Sequence, residues 1–221
     1  MESGLAEKMG VIVDGLDDHI KIAFLPQFTG VDIRISGSDK TAVEQKVKEI
    51  NAHVGKYIYG QDTERLEDLV GKMLNEKDLT LSTAESCTGG LVGHRLTNVP
   101  GSSDYFLGGI ISYSNDVKEN TLGVSAETLE THGAVSAETA AEMAENVRLK
   151  LGSDLGLAIT GIAGPGGGTD EKPVGLTFIS LSDGKETRVK EFRFFADRLL
   201  NKNASSQAAL NMVRLYFLNE H

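Results

Sequence analysis

The chain has 221 residues, of which 40% are hydrophobic and 24% charged, proportions typical of a folded globular protein rather than a disordered one. Because no stretch approaches the ~20 apolar residues of a membrane-spanning helix, we expect no membrane contact. The 32 acidic residues outnumber the 22 basic ones, and the net charge of -10 disfavours a nucleic-acid partner. The single cysteine, Cys87, excludes an internal disulfide and a multi-cysteine metal cluster and suits the cytoplasm, where we expect the protein to act.

The N-terminal part, residues 1–62, is predicted to form a small α+β module of βαβ type. Apolar and polar residues alternate in two of its segments, as they do in strands with one buried face. The predicted elements are a short helix with a polar turn at 5–18, a strand at 19–25, a turn at 27–30, a strand at 31–35, a helix capped by Asp39, and a strand at 56–60.

The remainder, residues 63–221, alternates strands with helices and predicts an α/β domain. Residues 155–160 are almost uninterruptedly apolar, which is typical of a strand buried on both faces. The predicted elements are a helix from Thr63, a strand at 79–85, a turn and helix at 86–99, a strand at 106–114, helices near 115–122 and 126–131, a longer helix capped by Ser136 with small residues on one face, the strand at 155–160, a hairpin of 174–182 and 186–195, and a helix at 203–217.

Chemistry is first expected at the strand-to-helix junction AESCTGG, residues 84–90. A polar side chain at the end of a buried strand faces the crevice in which α/β proteins bind ligands, and the following helix offers unpaired N–H groups. Ser86 is placed as a nucleophile would be, with amides near Thr88 and Gly89 to hold an oxyanion. Two alternatives stay open: that Ser86 or Thr88 merely caps the helix, and that Cys87 is the nucleophile, because a helix N-terminus lowers a thiol pKa.

A serine nucleophile needs a base, and the five histidines show no Ser-His-Asp pattern. Lysine serves instead when its amine is neutral. Lys118 follows the predicted strand at 106–114 and falls in the first turn of the next helix, where the helix dipole disfavours an ammonium ion. The alternative is that Lys118 is an ordinary solvated surface lysine.

A second candidate loop, residues 160–168, follows the apolar strand and is rich in glycine. It lacks the Lys and Ser or Thr of a phosphate-binding P-loop, and its spacing does not fit a dinucleotide fingerprint. Glycines there allow a ligand to approach the backbone closely, whereas the alternative is a flexible connection without a function. No metal-ligand pattern occurs, and we expect neither a metal nor a cofactor.

Four segments closely resemble the C-terminal domain of the competence-damage-inducible protein (CinA) family. They are AESCTGG, ISYSNDVKENTLGV, GAVSAETAAEMA and AITGIAGPGGGTDEKPVG. The resemblance covers residues 77 to the C-terminus. It implies a three-layer α/β/α domain with a mixed sheet. It also implies nicotinamide mononucleotide deamidase activity, which releases ammonia and leaves nicotinic acid mononucleotide.

The same resemblance implies roles for individual residues. Ser86 is the implied nucleophile, Lys118 its base, and Tyr113 lines the site. A small mononucleotide is the implied substrate, and a homo-oligomer, most simply a dimer, the implied assembly. The implied substrate contacts are Glu85, Thr88, Gly89, Thr160, Gly161, Gly164, Pro165, Gly166 and Arg198.

The segments IKIAFLPQFTGVDIRISG and YIYGQDTERLEDLVGKML resemble the KH-like module that precedes this domain in longer family members. A still earlier domain, similar to molybdopterin-binding proteins, is not part of this chain. RNA binding is the alternative that a KH-like fold raises. Residues 1–65, however, contain no G-x-x-G clamp and carry 8 basic against 11 acidic residues. We therefore expect a spacer or a dimerisation module.

The final segment departs from the family pattern of a Gly-Asp-Arg turn followed by a second Arg. Ala196 stands in place of the Gly, and Lys202 stands roughly where the second Arg is found. Arg198 remains and is expected to meet a phosphate. Because lysine lacks the bidentate fork of arginine, the alternative of a non-catalytic nucleotide-binding module with the same fold stays open.

Overall fold

A computed structural model describes residues 19–27, 30–195 and 197–218, so the helix and turn predicted at 5–18 lie outside the described residues. The chain divides into two compact units, Met1–Glu64 and Arg65–His221. No helix in the described part of the chain is both long and apolar enough to cross a membrane.

The N-terminal unit is an antiparallel hairpin followed by a helix. Its elements are β1 (Ile20–Gln27), β2 (Gly30–Gly37) and α1 (Lys40–Val54). The strands predicted at 19–25 and 31–35 are confirmed, and so is the cap: Asp39 Oδ1 accepts a hydrogen bond from the backbone N–H of Thr41 at 2.8 Å. The buried core consists of two helix residues and the apolar residues packed against them: Ile50, Val54, Ile22, Phe24, Ile33, Ile35 and Ile58.

The strand predicted at 56–60, and with it the βαβ order, is wrong. The chain forms a 3-10 turn at Gly55–Tyr57, in which the N–H of Ile58 donates to the Gly55 carbonyl at 3.0 Å. The end of α1 leaves carbonyl groups without helical partners, and a tightened last turn satisfies some of them. The described sheet of this unit therefore has two strands, which pair antiparallel.

The C-terminal unit is built on a mixed five-stranded sheet in the order β4-β3-β5-β6-β7. β3 pairs in parallel with both β4 and β5, whereas the β5-β6 and β6-β7 pairs are antiparallel. This confirms the predicted mixed sheet and the hairpin. The strands are β3 (Leu81–Glu85), β4 (Phe106–Ile111), β5 (Leu155–Gly161), β6 (Leu176–Ser182) and β7 (Thr187–Arg193).

Helices cover both faces of this sheet, as the expected three-layer arrangement requires. On one face Ala84 and Ala158 pack against Met143, Ala144 and Val147 of α5. On the other face α6 contacts β5 and β6, and α2 and α3 pack beside it. The helices are α2 (Leu66–Glu76), α3 (Leu91–Thr97), α4 (Ala126–His132), α5 (Ala137–Leu151) and α6 (Arg198–Phe217), with a π-helix at Val117–Leu122.

Close packing of α5 on the sheet depends on small residues, as its alanine-rich face predicts. A Cβ atom added to Gly156 of β5 would overlap the carbonyl oxygen of Ala144 on α5. The predicted cap of α5 is also confirmed, since Ser136 Oγ accepts from the N–H of Thr139 at 3.1 Å. The helix therefore lies against the strand backbone and shields it from water.

Two helices of this unit begin at other residues than predicted. α6 begins at Arg198 rather than at 203, because Asp197 Oδ1 accepts from the N–H of Leu200 at 2.9 Å and caps the helix. α2 begins at Leu66 rather than at Thr63, where the Asp68 carboxylate accepts from the N–H of Arg65 at 2.8 Å. The early start of α6 brings its first turns to the candidate site.

Candidate active site

Three loops meet at one edge of the sheet, because β3, β4 and β5 are parallel neighbours. The N–H of Ser86, directly after β3, donates to the carbonyl of Ile159 on β5 at 2.9 Å. The glycine-rich loop leaves the end of β5, and the segment that leads to Lys118 leaves the end of β4. The carboxyl ends of adjacent parallel strands are where open α/β sheets bind ligands.

Ser86 and Lys118 lie within hydrogen-bonding distance although they belong to different loops. Lys118 Nζ donates to Ser86 Oγ at 3.0 Å and to the backbone carbonyl of Ser112 at 2.7 Å. Ser86 is 8% exposed and Lys118 only 1% exposed. The interpretation of Lys118 as a solvated surface residue is therefore wrong.

Burial is the main influence on the Lys118 amine. It lowers the pKa of Lys118 below the usual lysine value, because removing the ammonium from water disfavours the charged form. The neighbouring Cys87 side chain acts in the opposite direction. Among the described residues no carboxylate forms an ion pair with Lys118. Burial thus shifts the Lys118 amine, which lies beside a serine hydroxyl, toward its uncharged form.

Cys87 is a poor nucleophile in this environment. The side chain is buried, and burial raises the pKa of the Cys87 thiol to about 12. Backbone N–H groups of the same turn oppose this effect only in part. Since the thiolate is the reactive form of cysteine, a thiol with this pKa is protonated and weakly nucleophilic near neutral pH.

Glu85, rather than Ser86 or Thr88, caps the helix that follows the junction. Its carboxylate accepts hydrogen bonds from three backbone N–H groups at the start of α3, those of Gly90 at 3.0 Å, Val92 at 3.1 Å and Gly93 at 2.8 Å. The capping interpretation of Ser86 and Thr88 is therefore wrong. The Glu85 carboxylate, which the resemblance implied as a substrate contact, is engaged with the helix.

The turn after Ser86 has a left-handed glycine at its end. Gly89 has a φ of +61°, and its N–H donates to the Ser86 carbonyl at 3.0 Å. This amide is used inside the turn, so it is not free to hold an oxyanion as expected. Thr88 is fully buried, and its Oγ1 has no hydrogen-bond partner in the described part of the chain.

The first residues of the glycine-rich loop have mainly structural contacts. Thr160 is fully buried, and its Oγ1 donates to the carbonyl of Ala134 at 2.6 Å. The backbone of Gly161 lies against the Leu176 carbonyl and Thr177, so that no side chain fits there. Neither Thr160 Oγ1 nor the Gly161 position faces open space, whereas Pro165 and Gly166 further along the loop are exposed.

Side chains from the first turns of α6 hold this loop. Arg198 Nη1 donates to the carbonyl of Gly164 at 2.9 Å, and Arg198 Nη2 donates to the hydroxyl of Tyr113 at 2.7 Å. Tyr113 is 57% exposed, as a residue lining an open site would be. The structure therefore brings together Tyr113, Gly164 and Arg198, which come from three distant parts of the sequence.

Asn201 is a contributor that the sequence analysis missed. The side chain is buried; its Oδ1 accepts from the N–H of Phe195 at 2.8 Å and its Nδ2 donates to the carbonyl of Ala163 at 2.9 Å. It was missed because the helix was predicted to begin only at residue 203. The carbonyl of Ser112 also holds Lys118, and a backbone group leaves no signal in a sequence.

Comparison with known proteins agrees with this fold. Residues 63–217 match the CinA C-terminal domain, and residues 1–60 match the damage-inducible protein CinA KH domain. A CinA-like protein from Chloroherpeton thalassium is 48% identical over 96% of this chain and 53% of its own length. A putative competence-damage inducible protein from Halothermothrix orenii is 46% identical over 97% of this chain and 53% of its own length.

Solved structures agree with these matches. The competence/damage inducible protein CihA from Agrobacterium tumefaciens is 37% identical, with a TM-score of 0.65, over 72% of this chain and 99% of its own. A CinA superfamily protein from Klebsiella pneumoniae is 30% identical, with a TM-score of 0.69, over 72% of this chain and 99% of its own. The chain spans about half the length of the curated relatives it matches, and it belongs to the CinA family.

Proposed function

We propose that this protein hydrolyses the carboxamide of nicotinamide mononucleotide to the carboxylate with release of ammonia, a step that recycles pyridine nucleotide. Ser86 is the nucleophile and Lys118 its general base. The observation that carries the proposal is the 3.0 Å hydrogen bond between Ser86 Oγ and Lys118 Nζ, both of them buried. A direct hydrogen bond between nucleophile and base is the geometry that such a dyad needs.

The proposed reaction begins with a neutral Lys118 amine. After the amine has lost its proton, the Ser86 hydroxyl donates to the Nζ lone pair, while an Nζ–H still donates to the Ser112 carbonyl and keeps the amine oriented. Ser86 Oγ then attacks the carboxamide carbon, and Lys118 takes the hydroxyl proton. The resulting oxyanion is assigned to the backbone amides of Cys87 and Thr88, because those of Gly89 and Gly90 donate to the Ser86 carbonyl and to Glu85.

The leaving group and the second half of the reaction use the same base. Lys118 passes its proton to the amide nitrogen, the C–N bond breaks, and ammonia departs. The acyl group remains bound to Ser86 as an ester. A water molecule that Lys118 deprotonates attacks this ester, releases the carboxylate and restores the serine hydroxyl. Arg198 is assigned to the substrate phosphate and Tyr113 to the wall of the site, since their side chains meet at 2.7 Å at the same edge of the sheet.

Ammonia release from nicotinamide mononucleotide tests the proposal. We expect Ser86→Ala and Lys118→Met each to lower kcat by at least about 1,000-fold, because a nucleophile and its base act as a unit. Cys87→Ala is the matched control, since it changes the adjacent buried side chain in the same turn. We expect it to retain activity within about threefold of wild type, because the thiol is protonated.

Three outcomes would contradict the proposal. Wild-type rates in Ser86→Ala would remove the serine mechanism, and loss of activity confined to Cys87→Ala would assign the reaction to the thiol. A wild-type protein that the mononucleotide stabilises against thermal unfolding, but that releases no ammonia, would instead be a binding module without turnover.

A further inference from the structure

The Ser112 hydroxyl is buried beside the proposed base and has no hydrogen-bond partner in the described part of the chain. A hydroxyl left unpaired in the interior costs free energy, so its presence requires an explanation. Tyr105 and Ser180 also have such hydroxyls. Ser112 differs from them because its own backbone carbonyl accepts a hydrogen bond from Lys118 Nζ at 2.7 Å.

The sheet places Ser112 level with Ser86. β3 and β4 are parallel, with Ala84 opposite Ile110, and Ser86 and Ser112 follow two residues further along each strand. Ala84 and Ile110 both face the core under α5. Because side chains alternate along a strand, those of Ser86 and Ser112 are directed to that same side. Lys118 Nζ is hydrogen-bonded to both residues and therefore lies beside both side chains.

The Lys118 side chain has more donors than the structure uses. An ammonium group carries three N–H donors, whereas two acceptors are present: Ser86 Oγ at 3.0 Å and the Ser112 carbonyl oxygen at 2.7 Å. In the proposed reaction Lys118 becomes an ammonium whenever it takes the Ser86 proton. Since Lys118 is only 1% exposed, bulk water does not reach the remaining N–H, which needs an acceptor within the protein.

We infer that Ser112 is a positioning residue for Lys118, with its Oγ accepting the third N–H of the ammonium while its carbonyl oxygen accepts another. This inference rests on the proposed function and adds a side chain to the backbone contact. Both oxygens belong to one residue, so rotation about the Cα–Cβ bond of Ser112 moves Oγ relative to Nζ without a change in the backbone. The last N–H is then directed at Ser86 and at the leaving nitrogen.

The sign of the effect on Lys118 follows from which form the hydrogen bond favours. An acceptor for the ammonium favours the charged form and raises a pKa. Burial lowers the pKa of Lys118, and the Cys87 side chain, in the turn after β3, opposes burial. Among the described residues no carboxylate forms an ion pair with Lys118. Removal of the Ser112 hydroxyl should therefore lower the pKa of Lys118 further.

An NMR titration of protein with ¹³C-labelled lysine side chains measures the pKa of Lys118 without turnover, and the resonance that Lys118→Met lacks identifies the residue. We expect Ser112→Ala to lower the pKa of Lys118 by about 0.5–1. We also expect it to lower kcat for ammonia release about tenfold, with KM within about threefold of wild type.

Two further variants separate the hydroxyl from the volume of the side chain. Threonine and valine have nearly the same shape, and only threonine carries a hydroxyl. Ser112→Thr should therefore keep the pKa of Lys118 and kcat close to wild type, whereas Ser112→Val should behave like Ser112→Ala.

Ser180→Ala is the matched control. The Ser180 hydroxyl is also fully buried and without a partner in the described part of the chain, but it lies within β6, opposite Ala158 of β5, and not in a loop of the candidate site. Its removal deletes the same chemical group from the interior. We expect the pKa of Lys118 to stay unchanged and kcat to remain within about threefold of wild type.

An unchanged pKa of Lys118 in Ser112→Ala would overturn the inference even if kcat fell, because the loss would then be structural. A lowered pKa with wild-type kcat, or equal behaviour of Ser112→Thr and Ser112→Val, would overturn it as well. Absence of ammonia release by the wild type would contradict the proposed function alone, since the titration would still decide whether the Ser112 hydroxyl holds the ammonium.

Discussion

At the scale of single residues, the unusual feature is an amine that is almost entirely removed from water. Lysine is rarely buried without an acidic partner, because burying an unpaired charge is costly. Lys118 instead donates to the neutral oxygens of Ser86 and Ser112. Burial therefore destabilises the charged form of the Lys118 amine. The lowered pKa of Lys118 that results is what a general base needs.

The pH dependence of turnover follows from this shift. A base acts in its neutral form, so kcat/KM for the mononucleotide should rise with pH through the pKa of Lys118 and then level off. Because burial lowers the pKa of Lys118, the midpoint of this rise should lie below the ordinary lysine value of 10.5. Initial rates of ammonia release over a series of buffers measure the profile.

Cys87→Ala is the control for this profile. Burial raises the pKa of Cys87 to about 12, so the thiol remains protonated over the measured range and its removal should leave the midpoint unchanged. A rate that does not change with pH, or one that falls as pH rises through neutrality, would contradict the role of a neutral lysine base.

How far single residues could be predicted depended on where their side chains point. Ser86 and Lys118 were found because both follow strands that end at the same edge of the sheet. The family resemblance groups Glu85 with them as a substrate contact, although successive side chains of a strand point to opposite faces. That alternation was a usable signal: it directs Glu85 toward α3 and Ser86 toward the Lys118 side, as the hydrogen bonds of both residues show.

At the scale of elements, the junction between β3 and α3 determines the position of Ser86, the proposed nucleophile. The carboxylate at the end of β3 accepts three N–H groups from the first turn of α3. These groups have no partners inside the helix, and a negative charge at a helix N-terminus is favourable. Glu85 thus fixes both ends of the short turn in which Ser86 lies.

Glu85→Gln tests this arrangement with almost no change in shape. One carboxylate oxygen becomes an NH2 group that faces backbone donors, so we expect the free energy of unfolding to fall by about 1–3 kcal/mol. Chemical denaturation measures the loss. Glu130→Gln, an exposed residue of α4, is the control and should stay within about 0.5 kcal/mol of wild type. Unchanged stability together with a raised KM would show that Glu85 contacts substrate instead.

Elements with a strong local pattern were predicted, and those defined by tertiary contacts were not. β5 was evident from its continuous apolar run, and α5 from its cap and its small-residue face. The early start of α6 depends on the cap formed by Asp197. Aspartate is also common in turns and loops, so its presence in the sequence does not by itself predict where a helix begins. The segment at 56–60 alternates like a strand, but five residues carry too little pattern to distinguish a strand from a turn.

At the scale of the whole molecule, the candidate site belongs to one of the two units. Ser86, Lys118, Arg198 and the loops they contact all lie in Arg65–His221. The match to the solved CinA-family structures from Agrobacterium tumefaciens and Klebsiella pneumoniae covers 72% of this chain in each case. It covers 99% of each of those two chains. Chains of about that size therefore fold as separate proteins in relatives of this one.

Residues 63–221 alone are accordingly expected to fold cooperatively and to retain kcat/KM for nicotinamide mononucleotide within about threefold of the full chain. The physical reason is that two features lie inside this unit: the hydrophobic core between α5 and the sheet, and the hydrogen bonds that the structure describes for the side chains of Ser86 and Lys118. Thermal unfolding and ammonia release measure the two properties, with Ser86→Ala in the same fragment as the blank. A well-folded fragment with a large loss of turnover would show that residues 1–62 contribute to the reaction, and an insoluble fragment would show that they are needed for folding.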